Sequence, residues 1–285
     1  NGSNSGHVRV YSLAVNSTSI PDYIPINGLE VYYPLDTLGY PCNPSANGNY
    51  SVGRDLGSFN HHWSAGSGYI PKTNRFGVPG GAMSYTQNVA QTPFSGVLGT
   101  ESRSVSVWIK HKGSSDPIFF QYGSQLAGKR FSGHVNYNCN GVGVGSAFST
   151  TTNNQPLDTN WHHIVYVLDT SQCSGSCSVT DVDVYVDGVI YPNCNVYNGS
   201  TAINTIGTFD LQFIFGNSSI ANSNRLALDD FGMWNRPLTQ YEILDLYSGS
   251  SGCSVFDTIP VFDTSFVDVF DTNYIDVFDT SYVDV

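Results

Sequence analysis

Short apolar runs that alternate with polar residues, cut off every few positions by Gly, Pro, Asn or Asp, constrain this chain more than any other feature. Leu29–Tyr33, Val105–Ile109, His163–Leu168, Val179–Val186 and Leu211–Gly216 are such runs. A period of two places one face of a strand on a core and the other toward a different surrounding. Val182-Asp183-Val184-Tyr185-Val186 runs straight into Asp187-Gly188, a tight-turn pair between two strands. One segment breaks the pattern. In Pro237-Leu238-Thr239-Gln240-Tyr241-Glu242-Ile243-Leu244, Thr239 can cap a helix and Glu242 stands three residues on, as in a capping box. Many strands, long polar loops and one short C-terminal helix predict an all-β protein, an antiparallel jelly-roll β-sandwich.

Composition agrees. The chain has 285 residues with 29 Gly, 18 Tyr and 16 Phe, and only 12% of its residues are charged, whereas helical proteins draw more heavily on Glu, Lys, Ala and Leu. No apolar run approaches the roughly 20 residues that span a bilayer, so no membrane insertion is expected. The sequence opens at Asn1 without Met or a charged-then-apolar leader, which reads as a mature, exported product. Six cysteines, Cys42, Cys139, Cys173, Cys177, Cys194 and Cys253, fit no metal pattern and favour disulfides in an oxidising compartment. A local bridge between Cys173 and Cys177 is expected. Cys42 and Cys253 flank the main domain and are a second candidate pair, while Cys139 and Cys194 remain. The sequons at Asn16, Asn49, Asn198 and Asn217 suit exposed loops.

Three parts are expected: a polar segment over 1–25 with a strand-like run at Val8–Val15, a main domain over 26–250, and an acidic repeat over 251–285. The tail repeats an octad, Val261-Phe262-Asp263-Thr264-Ser265-Phe266-Val267-Asp268, with later copies built on Phe270-Asp271 and Phe278-Asp279. Its β-branched and aromatic content is strand-like. It resembles the Asp-Thr repeats that follow folded domains in some bacterial surface proteins. Both faces of such a strand are partly apolar and its backbone groups need partners. It is therefore expected to pair, with other copies of itself, with a neighbour's open sheet edge, or with itself as short arcs at Asp-Thr. The formal net charge is −12, and without the seven Asp of the tail the remainder holds 16 acidic against 11 basic residues. Such a balance argues against nucleic acid as a partner.

Several segments, in order, resemble the laminin-G-like members of the concanavalin A-like lectin/glucanase superfamily. They are Gly28–Asp36, Asp55-Leu56-Gly57-Ser58-Phe59-Asn60, Asn74–Ala82, Val105–Lys110, Trp161–Val165 and Leu228–Thr239. The resemblance implies a calcium ion, held by Asp55, Asn60 and Asp229. The adjacent histidines His61-His62 and His162-His163 are not expected to bind zinc, because neighbouring strand residues point to opposite faces. Tyr32, Tyr33, Tyr50, Trp63, Tyr69, Tyr137 and Tyr197 are candidates for stacking on sugar rings, whereas Trp108 and Trp161 read as core.

The superfamily includes glucanases, and those enzymes need two carboxyl groups across the scissile bond. This chain has only Glu30, Glu101 and Glu242, far apart in sequence, and no Gly-x-Ser-x-Gly elbow. The expectation is a non-catalytic extracellular surface protein, a lectin-like head on a stalk that assembles with other copies into a fibre. Glycan or glycoprotein is the implied ligand. The alternatives are a purely structural filament subunit, and a carbohydrate-active enzyme or its accessory module.

Overall fold

A computed structural model describes residues 20–36, 53–57, 59–63, 68–85, 89–112, 118–124, 126, 129–134, 143–144, 158–191, 202–215 and 226–249. The strands are β1 (Leu29–Tyr33), β2 (Tyr69–Lys72), β3 (Ala82–Tyr85), β4 (Val89–Gln91), β5 (Arg103–His111), β6 (Ile118–Gly123), β7 (Arg130–His134), β8 (Gly143–Val144), β9 (Trp161–Leu168), β10 (Val182–Val186), β11 (Val189–Tyr191), β12 (Phe209–Ile214) and β13 (Leu226–Trp234). One α-helix follows, α1 (Gln240–Ser248). The strands form two antiparallel sheets. The larger runs β11-β10-β9-β5-β13-β3-β2, with β1 also paired to β13; the smaller runs β4-β12-β6-β7-β8. This is the antiparallel sandwich with one short C-terminal helix that the strand pattern predicts.

The main core lies between the sheets and is aromatic, with Tyr33, Phe120, Tyr166, Phe213 and Phe231 all buried in it. A second apolar cluster lies on the outer face of the larger sheet. Tyr32, Val165, Val167 and Trp234 point outward there, under Leu238, Ile243 and Leu246 from the helix region and Ile24 from the N-terminal side. Because both faces of this sheet are covered, β9 reads as an unbroken apolar run: Ile164, Tyr166 and Leu168 face one core while Val165 and Val167 face the other. Ile24 is buried and Tyr23 packs beside it, so residues the sequence reading placed in the N-terminal segment belong to the sandwich.

Local rules explain the ends of the elements. Thr239 accepts from the Glu242 N–H while the Glu242 carboxylate accepts from the Thr239 N–H, the expected capping box. The helix thus starts at Gln240, directly after the expected cap, and runs past Leu244 to Ser248. Asp187 and Gly188 both have positive φ, as a two-residue type I′ hairpin requires. Val179–Asp181 forms a 3-10 turn rather than the start of β10, because the Asp181 carboxylate takes the Ser178 N–H and hydroxyl. The Cys173–Cys177 disulfide is present. Cys42, Cys139, Cys194, Cys253, the Val8–Val15 run and the whole tail, including Phe262, Asp263, Phe270, Asp271, Phe278 and Asp279, lie outside the described residues.

Candidate functional site

Asp55 is buried and is engaged by the protein itself. Oδ1 accepts from the Tyr32 N–H at 3.0 Å and the Gly57 N–H at 2.8 Å, and Oδ2 accepts from the His61 N–H at 2.9 Å. Three backbone donors around one carboxylate tie the 53–63 loop to β1. Asn60, with φ +56, forms the exposed corner of that loop.

Asp229 sits elsewhere in the network, on β13. A β-bulge there breaks the register with β5 between Asp229 and Gly232, and Asp230 takes a positive φ. Adjacent strand residues normally face opposite sides. Here the bulge turns both carboxylates to the outer face, where both meet Arg75. Its Nη1 donates to Asp230 Oδ2 at 2.6 Å and to Asp229 Oδ2 at 3.1 Å. Tyr32 and Tyr23 donate their hydroxyls to Asp230 at 2.5 and 3.2 Å. Arg75 is aimed inward by its own loop, since the Asn74 side chain accepts from the Phe76 and Val78 N–H groups and closes a tight turn. Its guanidinium lies 4.2 Å from the Phe76 ring centroid and 4.5 Å from that of Trp108. Burial and the neighbouring Asp230 push the Asp229 carboxyl well above the usual carboxylate range, against the pull of Arg75.

The residues as they stand do not fit the calcium ion that the resemblance implies. Asp55 is engaged by backbone N–H groups and Asp229 by a guanidinium. Among the described residues no group of three or more His, Cys, Asp or Glu side chains is placed to hold a metal.

The aromatic candidates also change place. Tyr32, Tyr33 and Trp63 are buried: Tyr33 packs edge-on to Phe213 in the main core, and Tyr32 serves Asp230. Tyr69 is half-buried, and Tyr50, Tyr137 and Tyr197 lie outside the described residues. Trp108 is buried on the outer face, stacked on Tyr247 of α1, and Trp161 is half-buried. His163 is buried against Ser106 Oγ at 2.8 Å, and burial, with Arg75 nearby, pulls its pKa down to about 3. His162 stands between two carboxylates, with Nδ1 2.8 Å from Asp187 and Nε2 3.0 Å from Asp158.

A polar row on the smaller sheet is absent from the sequence reading. Gln91, Gln212, Gln121 and Ser132 are register partners across β4, β12, β6 and β7. The Gln121 amide donates to Gln212 Oε1 at 2.8 Å, and the Gln212 amide lies 3.5 Å from Gln91 Oε1. Gln91 is exposed, and Gln121 and Gln212 are half-buried. On one side of the row Val89 is exposed opposite half-buried Ile214; on the other Ser95 donates to Asp210 at 3.0 Å. The sequence does carry a sign of this face, because Phe120-Gln121-Tyr122 and Leu211-Gln212-Phe213 each set one amide between two core aromatics or aliphatics. The cross-strand register that lines them up is not visible in one dimension.

The laminin-G family model of the concanavalin A-like lectin/glucanases superfamily matches residues 84–244, more than half of the chain. The chain belongs to this superfamily. The matched span of this concanavalin A-like domain holds both β12, with Gln212, and β13, with the Asp pair. Among curated proteins no match was found. Solved structures similar to this domain include the Trypanosoma rangeli sialidase in complex with the inhibitor DANA, at 14% identity over 79% of this chain and 33% of that chain, TM-score 0.45. Another is domain 4 of AbnA, a GH43 extracellular arabinanase from Geobacillus stearothermophilus, in complex with arabinotriose, at 16% identity over 77% of this chain and 98% of that one, TM-score 0.47. A third is the binding domain of botulinum neurotoxin serotype G, at 14% identity over 70% and 49%, TM-score 0.46. The chain spans about a third of the length of the sialidase. No helix among the described residues is long and apolar enough to cross a membrane.

Proposed function

We propose that this concanavalin A-like domain is a non-catalytic, extracellular, lectin-like adhesion head that binds a neutral glycan on the outer face of its smaller sheet. The repeat tail would join copies into a fibre. The observation that carries the binding reading is the register-aligned amide row Gln91–Gln212–Gln121. A glutamine amide carries both a donor and an acceptor, which suits hydroxyl groups that also do both; Gln121 Oε1 is buried, so exposed Gln91 and half-buried Gln212 are the amides that would meet the ligand. With strands about 4.8 Å apart the row spans about 10 Å, room for a short oligosaccharide. Val89 and Ile214 beside it offer an apolar strip for the C–H face of a sugar ring.

The engagement of several of the described carboxylates supports a non-catalytic role. Asp55, Asp229 and Asp230 hold loops and an arginine, Glu242 is clamped by Arg236, and Glu30 accepts from Asn235. A general acid or nucleophile needs a carboxyl group free to meet a substrate.

A glycan array with the full chain and with Gln212→Ala tests the reading. Binding to a set of neutral glycans is expected in the full chain, with a loss of tenfold or more in the variant and no change in melting temperature. Silence of the full chain across a broad array would sink the lectin reading and leave a structural filament subunit in its place.

A further inference from the structure

We infer that Arg75 is the built-in counter-ion of the Asp229–Asp230 pair, standing where a divalent cation would otherwise stand, so that this part of the fold is independent of calcium. The inference does not depend on the glycan reading.

The geometry of one nitrogen carries it. Arg75 Nη1 lies 2.6 and 3.1 Å from two oxygens on two different aspartates. A calcium ion gathers the same kind of oxygens at about 2.3–2.6 Å. Nitrogen and ion would therefore contend for one point, and two positive charges cannot share it. The arginine is also held against leaving. Its side chain is 5% exposed and lies between the faces of Phe76 and Trp108. Among the described residues its buried Nε and Nη2 find no hydrogen-bond partner, so the charge answers to the carboxylates through Nη1 and to the ring faces. The bulge at Asp230 serves the same arrangement. It sends a second carboxylate to the arginine and leaves Tyr23 and Tyr32 to satisfy what remains of Asp230.

Arg75→Met keeps the length and the apolar packing between the rings and removes the charge. Asp229 then loses its guanidinium, and Asp230, still held by the Tyr23 and Tyr32 hydroxyls, faces it with no positive charge between them. The test is thermal unfolding of the full chain and of this variant, in EDTA and in millimolar calcium at matched ionic strength. The full chain is expected to melt at the same temperature in both. The variant is expected to melt about 10 °C lower or more in EDTA, and to regain at least half of that in calcium, because a cation bound only by the folded state stabilises it.

Two results would overturn the inference directly. One is a full chain that loses stability in EDTA when Asp229→Asn does not. The other is an Arg75→Met variant indifferent to calcium or as stable as the parent. If Arg75→Met does not fold, the Arg75→Met/Asp229→Asn/Asp230→Asn triple variant decides. Recovery of folding without a calcium response supports the counter-ion role, and continued failure to fold overturns it.

Discussion

Asp55 shows how far single residues can be read from sequence. The family resemblance marks it and Asp229 as polar positions that matter, and both are buried polar groups. What each one serves was not legible. The donors to Asp55 are backbone N–H groups, which every residue carries and no side-chain pattern advertises. The partner of Asp229 lies 154 positions away, and nothing in the spacing of Arg75 points across that distance. His162 is a third case. Both ring nitrogens face groups that only accept, so the imidazolium is the form that satisfies both bonds. The hydrogen bond to Asp187, reinforced by Asp158 against the effect of burial, holds its pKa above the ordinary 6.5. That stabilisation is complete below about 6.5 and fades as pH rises through the folded-state pKa. His163 and His134 work the other way. Burial lowers their pKa values to about 3 and about 4, so stability falls as pH drops below about 6.5. Urea unfolding across pH 4–9 should therefore give a maximum near neutrality, and His162→Gln should flatten its alkaline limb alone.

At the scale of elements, strand existence was legible and strand boundaries less so. Leu29–Tyr33 matches β1 residue for residue, since it is an apolar run fenced by turn residues. Val179–Val186 was too long at its start, because a side chain, Asp181, captures the backbone before the ladder begins. The amide row belongs to this scale too, for it exists only once three strands are in register. The Cys173–Cys177 bridge closes a very short loop between the 3-10 turns Thr170–Gln172 and Val179–Asp181. Chain-entropy arguments give such a short loop about 2 kcal/mol. A Cys173→Ala/Cys177→Ala variant should lose about that much in urea unfolding, with its secondary structure by circular dichroism unchanged.

For the whole molecule, the two outer faces differ. The larger sheet is closed by α1 and the segment around Ile24, while the smaller sheet exposes the Gln91 end of the amide row, with Gln212 and Gln121 half-buried and Ser132 buried. Fold class was legible because strand alternation, turn chemistry and one capped helix all point the same way. Which sheet face the helix covers was not, since it depends on where that one element lands. Assembly is a property of the tail in this reading. Removing 251–285 should convert an oligomer into a monomer by multi-angle light scattering. An unchanged mass would make the tail a tether rather than a joint.

The bulge in β13 has one more implication. Leu226 and Leu228 point into the main core before it, and Phe231 and Met233 do so after it. Strike out Asp230 and the remaining letters alternate without a fault, inward and outward in turn, from Leu226 to Trp234. Asp230 is thus a supernumerary residue, a syllable inserted into a line that already scanned. Losing one residue from the middle of a central strand ordinarily scrambles everything downstream. Here the strand can give one up and keep its grammar.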